Sequence, residues 1–216
     1  SKVVAKGGTG SESSDQETSA RLGIKVLNTP NAFTVQVAES VMGYMLNFAR
    51  QQPWMDRAMK SGEWKKIPGK TLSESTLGVV GVGNIGKAVL RRARAFGMTL
   101  LGNDIVEIAP DFLLEQGVEM TSLPDLLRRS DYVSLNCSLN PSSFHLVNPN
   151  TLAQCKPGAV IINAARGPVV DEPALVEALQ SGQIGGAALD VFESEPLPLD
   201  SPLLRMENVM LAPHNT

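Results

Sequence analysis

The sequence contains few of the residues that mark specialised classes of protein. Its 216 residues include two cysteines and two histidines, 5% are aromatic and only 19% are charged. The cysteines, Cys137 and Cys155, do not form a CxxC motif, so they indicate neither a disulfide framework nor a zinc site. We therefore predict no metal site.

Long apolar runs and basic clusters are also missing. No apolar run approaches the roughly 20 residues that a membrane-spanning helix needs, and the first ten residues lack the layout of a signal peptide. The 19 Lys and Arg residues against 22 Asp and Glu residues give a formal charge of −3. We expect a soluble, cytoplasmic protein with neither nucleic acid nor a membrane as partner.

Short apolar runs alternate with helical patterns over most of the chain. Residues 77–82 are predicted to form a strand, residues 85–96 a helix closed by Gly97, and residues 99–102 the next strand. This alternation continues to residue 212 and predicts an α/β fold with a doubly wound parallel sheet. Before it, Thr34 is predicted to cap a helix to residue 50, and residues 51–75 are predicted to be rich in loops.

A glycine motif follows the first of these strands. Gly81, Gly83 and Gly86 form GxGxxG, in which the glycines allow a tight turn, the approach of a pyrophosphate and close packing of helix on strand. The helix that begins there would offer unpaired N–H groups and a positive dipole end to phosphates. The motif predicts a dinucleotide-binding domain of the Rossmann type.

An acidic residue at the end of the next strand refines this prediction. Asp104 is placed to accept hydrogen bonds from the adenosine ribose hydroxyls, and residues 105–107 contain no arginine for a 2′-phosphate. This favours NAD over NADP. A structural glycine turn with a surface aspartate, or a methyltransferase that binds a nucleoside cofactor, would show the same pattern.

Three longer motifs lie in the second half of the chain. They are INAARGPVVDE from Ile162, AALDVFESEP from Ala187 and APH ending at His214. Together they closely resemble the D-2-hydroxyacid dehydrogenase family, and the resemblance extends from Lys2 to His214. Within the family, the runs GTG at 8–10, NTPN at 28–31 and TLAQCK at 151–156 are most similar to 3-phosphoglycerate dehydrogenases.

The resemblance implies a catalytic trio of Arg166, Glu195 and His214. Reduction of a 2-oxo acid needs a cation for the carboxylate, a proton donor and a hydride. The guanidinium of Arg166 suits a carboxylate, and the imidazole of His214 suits proton transfer near neutral pH. Glu195 beside it would favour the imidazolium. A solvated arginine, a loop glutamate and a surface histidine are the alternative interpretation.

The resemblance also implies residues that contact the cofactor or the substrate. For NAD these are, besides Gly81, Gly83, Gly86 and Asp104, the residues Thr9, Asn84, Ile85, Cys137, Ala164, Ala165, Arg166, Asp190 and His214. For the substrate they are Lys6 and Arg166. Cys137 would also fit as a small buried apolar residue, and Lys6 as a solvated lysine at a strand end. Ser138 departs from the family, which usually has proline there.

The resemblance divides the chain into two parts. Residues 1–28 are expected to be the C-terminal remnant of a flavodoxin-like substrate domain, and residues 29–216 the NAD-binding domain. Most of the substrate lid would then be absent, so we expect this chain alone to bind cofactor but to turn over poorly.

A homodimer is expected from the helix over residues 34–50. It contains Met42, Met45, Leu46 and Phe48, more apolar residues than one face needs, and this region forms a two-fold interface in the family. The alternative is a helix buried within its own domain.

The predicted activity is NAD-dependent interconversion of a D-2-hydroxy acid, with 3-phosphoglycerate as one candidate, and its 2-oxo acid. A glyoxylate or hydroxypyruvate reductase and a non-catalytic NAD-sensing regulator remain alternatives. Formate dehydrogenases are disfavoured, because the resemblance would then require glutamine at Glu195.

Overall fold

The structure, a computed structural model, describes residues 3–5, 16–27 and 31–215. Its strands are β1 (Val3–Ala5), β2 (Lys25–Leu27), β3 (Thr76–Val80), β4 (Thr99–Asn103), β5 (Val118–Met120), β6 (Tyr132–Leu135), β7 (Ala159–Asn163), β8 (Ile184–Leu189) and β9 (Val209–Leu211). Its α-helices are α1 (Gln16–Arg21), α2 (Thr34–Arg50), α3 (Gln52–Lys60), α4 (Asn84–Ala95), α5 (Pro110–Gln116), α6 (Leu123–Arg129), α7 (Pro149–Gln154) and α8 (Glu172–Gln180).

Seven strands form one parallel sheet in the order β5-β4-β3-β6-β7-β8-β9. The chain runs from β3 outward to β5 and then returns to β6 on the other side of β3. Ligands of doubly wound sheets bind at the carboxyl ends of the strands beside such a reversal. The predicted doubly wound Rossmann fold is confirmed, and its reversal point lies between β3 and β6.

The sheet is buried on both faces. Val79 and Ile162 belong to the apolar cluster that contains α2 and α4, whereas Val80 and Ile161 belong to the cluster that contains α6 and α8. Successive residues of a strand point to opposite faces, so a strand covered on both sides needs apolar residues at every position. This is why the central strands appear in the sequence as unbroken apolar runs.

One face of helix α2 is buried in the core. Met42, Met45 and Phe48 all belong to the core cluster on one face of the sheet. The apolar residues that predicted a dimer therefore have partners within the chain. The prediction that Thr34 caps this helix is wrong, since Phe33 occupies the cap position and has no polar side chain to offer.

Part of the stretch predicted to be loops is helical. Helix α3 has Pro53 in its first turn, where the missing N–H costs nothing. Trp54 lies against Phe48 with ring centroids 5.1 Å apart, and its Nε1 donates a hydrogen bond to the Glu207 carbonyl at 2.6 Å. Tertiary contacts thus hold a helix that the local pattern does not indicate.

The two remaining strands, β1 and β2, pair in parallel as a sheet of their own. Residues 28–30 lie outside the described part of the chain, so the division into domains at residue 28 stays a prediction. None of the described helices is long and apolar enough to cross a membrane.

Candidate functional site: the carboxyl edge of the sheet

The glycine motif forms the turn between β3 and α4. Gly81 has a φ of +89°, and a Cβ there would lie 2.6 Å from the Cys137 backbone nitrogen. Gly86 is equally crowded, because a Cβ would lie 2.1 Å from the Gly81 oxygen. At Gly83, by contrast, no heavy atom of the described residues lies within 4 Å of the Cβ position, apart from the glycine itself and its neighbours along the chain. The turn is tightly packed inward and open outward, at the N-terminus of a helix.

A cavity of about 250 Å³ opens beside this turn. The glycine turn, the end of β4 and the segment after β6 form its walls. The lining includes four of the predicted cofactor residues, Gly81, Gly83, Asp104 and Cys137. It also includes residues that were not predicted to bind the cofactor, among them Ile105, Val106, Asn136 and Asn140. The cavity lies at the reversal point between β3 and β6.

The carboxylate of Asp104 is fixed at the rim of this cavity. Its Oδ2 accepts a hydrogen bond from the Val82 amide at 2.6 Å, and its Oδ1 accepts one from the Val106 amide at 3.1 Å. A carboxylate oxygen has a second lone pair, so both oxygens can accept a further hydrogen bond from a ligand. Asp104 thus braces the glycine turn and remains suited to a ribose.

Asn136 is a residue of the cavity that the sequence analysis missed. Its Nδ2 donates to the Ser134 carbonyl at 3.1 Å, while its buried Oδ1 has no hydrogen-bond partner within the described ranges. A buried acceptor without a partner is costly unless a ligand or water satisfies it. Its position directly after β6, at the reversal point, was the available signal. The open turn, Asp104 and this acceptor together fit a dinucleotide.

The turn after β7 carries Arg166. The side chain of Asn163 shapes it, accepting a hydrogen bond from the Ala165 amide at 3.1 Å and donating one to the Arg166 carbonyl at 2.9 Å. Ala164 and Ala165 are buried, and Arg166 Nη1 donates to the Ala165 carbonyl at 2.6 Å. The guanidinium therefore stands at the carboxyl edge of β7.

Glu195 and His214 meet after β8 and β9. Nδ1 of His214 lies 2.8 Å from Oε2 of Glu195, and the Phe192 amide donates to Oε1 at 3.0 Å. Burial raises the pKa of Glu195, but the hydrogen bonds from His214 and Phe192 and the charges of His214 and Arg166 outweigh it. The net pKa lies below the usual value, so Glu195 is a carboxylate at neutral pH and can stabilise an imidazolium.

Asp190, at the end of β8, anchors the chain around His214. It is fully buried, its carbonyl accepts a hydrogen bond from the His214 amide at 2.8 Å, and its Oδ1 accepts one from the Asn215 amide at 2.9 Å. Burial, and to a lesser degree the nearby Asp190, raises the pKa of Tyr44 to about 12. Asp190 thus fixes the backbone of His214 through its own carbonyl and the backbone of Asn215 through its side chain.

The other predicted residues are more scattered. Asn84 and Ile85 begin α4, and Asn84 Nδ2 donates to Asn31 Oδ1. Lys6 and Thr9 lie outside the described residues. In the part that is described, no three His, Cys, Asp or Glu side chains are arranged to hold a metal ion.

Comparison with known proteins agrees with this geometry. Residues 42–216 match the family described as "D-isomer specific 2-hydroxyacid dehydrogenase, NAD binding domain". The chain is similar to D-3-phosphoglycerate dehydrogenase of Homo sapiens, with 44% identity over 99% of this chain and 40% of that protein. It is 41% identical to hydroxypyruvate reductase of Thermotoga maritima, over 99% of this chain and 70% of the relative.

A solved structure gives the same result. D-lactate dehydrogenase of Aquifex aeolicus, complexed with NAD and lactic acid, superposes with a TM-score of 0.89 at 31% identity, covering 99% of this chain and 69% of that one. The chain therefore belongs to the D-isomer specific 2-hydroxyacid dehydrogenases and carries their NAD-binding domain. It spans less than half the length of the phosphoglycerate dehydrogenases that it matches.

Proposed function

We propose that the protein is an NAD-dependent oxidoreductase that interconverts a D-2-hydroxy acid and its 2-oxo acid. The observation that carries the proposal is the hydrogen bond between Glu195 and His214, at the same sheet edge as Arg166 and the cofactor cavity. Reduction of a carbonyl needs a proton donor, a group that binds the substrate and a hydride source. The His214–Glu195 pair, the Arg166 guanidinium and the dinucleotide site would supply these three functions.

The residues divide the work between binding and proton transfer. Arg166 would bind the substrate carboxylate in a forked pair of hydrogen bonds. His214 would give a proton to the carbonyl oxygen as it becomes an alcohol, and Glu195 would hold the imidazolium beforehand. Bound NADH would supply the hydride. In the reverse direction His214 would take the hydroxyl proton while the hydride from the same carbon would pass to NAD⁺.

The proposed substrate is 3-phosphoglycerate, supported by the similarity to the human enzyme of that name. Glyoxylate or hydroxypyruvate is the second candidate, supported by the Thermotoga maritima relative, of whose length the chain covers a larger share. Steady-state assays with a panel of 2-hydroxy and 2-oxo acids, done on the full natural protein, rank these by kcat/KM. Binding of NADH without turnover of any acid would favour an NAD-sensing regulator instead.

We propose that the chain binds NAD(H) at least about tenfold more tightly than NADP(H), a difference of about 1.4 kcal/mol. The reason is that the Asp104 carboxylate, held at the cavity rim by the Val82 and Val106 amides, would repel a 2′-phosphate. Calorimetric titration with both cofactors measures the ratio of their dissociation constants, and Asp104→Ser should bring the two constants closer together. Asp111→Ser, in the helix that follows, is the matched control. Equal affinities in the wild type would refute the assignment.

We propose that the protein forms a homodimer through residues other than the apolar residues of α2 that lie in the core. Exposed apolar side chains on the segment around α2 and α3 support it: Phe33, Val35, Met59 and Trp64, of which Trp64 is 82% exposed. Light scattering at tens of micromolar, an order of magnitude at which interfaces of standard size hold, should give twice the monomer mass. Trp64→Ser should lower that mass toward the monomer, and a monomeric wild type would exclude the interface.

We propose that residues 1–28 are the remnant of a flavodoxin-like substrate domain. The separate pairing of β1 with β2 supports this division. Location in the cytoplasm likewise stays a proposal, which rests on the low cysteine count.

A further inference from the structure

The other histidine of the chain, His145, lies between two segments of the site. His145 belongs to the loop after β6, and its ring Nε2 contacts Oε1 of Glu193, in the turn that also carries Glu195. Its Nδ1 lies 4.0 Å from Oδ2 of Asp171, at the end of the turn that begins with Arg166. The imidazole thus faces one carboxylate from each of the two turns.

Several contacts hold His145 in place. Its amide donates to the Pro168 carbonyl at 2.9 Å, and its carbonyl accepts from Asn148 Nδ2 at 2.9 Å. Its ring stacks on Phe144 with centroids 4.0 Å apart and an angle of 14° between the planes. The side chains of His145 and Glu193 are only 33% and 30% exposed. These contacts leave the ring little freedom.

The turn that carries Glu195 depends on a small number of such contacts. On this side the Glu193 amide donates to Glu172 Oε2 at 3.2 Å, and the Phe192 carbonyl presses on Gly167, where a Cβ would lie 1.8 Å from it. Residues 193–196 are exposed as whole residues, whereas the preceding Phe192 is buried. The contact with His145 adds a side-chain link between this turn and the loop after β6, and that loop is bound to the turn of Arg166 through the Pro168 carbonyl.

We propose that His145 is a positioning residue for the Glu195–His214 pair: by holding Glu193 it fixes the turn from which Glu195 reaches His214. Its effect on turnover rests on the proposed function, but its effect on the geometry of the pair does not. A side chain that orients a catalytic carboxylate works by limiting its conformations, and small losses of alignment are costly in rate.

Histidine NMR tests the geometry without reference to activity. The chain contains two histidines, so the ring signals of His145 and His214 can be assigned by removing one. We expect His145→Leu to shift or broaden the Nδ1 proton signal of His214, and His145→Gln, whose amide can still donate to Glu193, to preserve it. Lys156→Leu is the control, since it breaks the ion pair with Asp131 before the start of β6. It should leave the His214 signal unchanged.

Turnover of the full natural protein gives the second measurement. His145→Leu should lower kcat by about tenfold or more, with the Kd of NADH within about twofold of wild type, and should cost little further in a Glu195→Gln background. Melting temperatures compared with Lys156→Leu separate this from general destabilisation. A His214 signal or a kcat unaffected by His145→Leu would overturn the proposal. A wild type that turns over no acid would refute the proposed function alone, because the NMR comparison still decides the role of His145.

Discussion

Replacing His214 with alanine should lower the turnover number of the full natural protein by roughly 10²–10⁴-fold, the range that a positioned acid or base contributes. The imidazole is the group placed to protonate the substrate oxygen, at 2.8 Å from the carboxylate that stabilises its charge. NADH affinity should change far less, because the cofactor cavity is lined by the glycine turn and Asp104. Stopped-flow oxidation of NADH by 2-oxo acids measures the first quantity, and fluorescence titration the second.

Glu195→Gln is the matched variant for this experiment. It keeps the size of the side chain and can still contact His214, but it removes the negative charge. It should lower kcat while leaving binding of NADH in place, and combining it with His214→Ala should cost less than the product of the two losses, since both act in one step. If His214→Ala weakened NADH binding as much as it lowered kcat, the histidine would be a cofactor contact rather than the proton donor.

The second large effect is expected at the glycine turn. Gly81→Ala should destabilise the fold by about 2–5 kcal/mol, because a left-handed backbone costs an alanine roughly 1–2 kcal/mol and overpacking adds about 1–3 kcal/mol. A Cβ at Gly81 would meet the Cys137 nitrogen at 2.6 Å. Thermal unfolding should show a melting temperature lower by roughly 4–20 °C for a domain of this size.

Gly83→Ala provides the comparison for that change. Apart from the glycine itself and its neighbours along the chain, no heavy atom of the described residues lies within 4 Å of its Cβ position, and its φ is −77°. The melting temperature should therefore stay within about 2 °C of wild type. The added methyl group would instead occupy the open side of the turn, and NADH affinity should fall by about tenfold or more. An unchanged NADH affinity in Gly83→Ala would mean that the pyrophosphate does not approach this turn.

The large sheet could be predicted from the sequence because its strands are buried on both faces. The strand predicted over residues 99–102 corresponds to β4, residues 99–103, and the helix predicted over residues 85–96 corresponds to α4, residues 84–95. Helix α3 could not be predicted in this way, since it is held by the contact of Trp54 with Glu207, far along the chain. Helix α7 had a local signal that was overlooked, the reciprocal cap formed by Asn148 and Thr151.

The site likewise contains residues that could be predicted from the sequence and residues that could not. Residues inside long motifs, such as Arg166, Glu195 and His214, could be proposed from the sequence, and the meeting of Glu195 with His214 follows from two neighbouring strand ends. Asn136 and His145 lie in no such motif. Their importance depends on an unsatisfied buried acceptor and on a contact between two turns, and neither property is encoded in local spacing.

The packing of Phe48 has a consequence for how the chain can fold during its synthesis. Its ring contacts Trp54 close by in the sequence and also covers Gly186 on β8, where a Cβ would lie 2.5 Å from the ring. This second partner is synthesised long after α2 itself. At a translation rate of about 5–20 residues per second, the ribosome needs roughly 7–28 seconds to reach it. During that interval α4 can cover α2 only in part, and an apolar ring on the nascent chain remains accessible to chaperones.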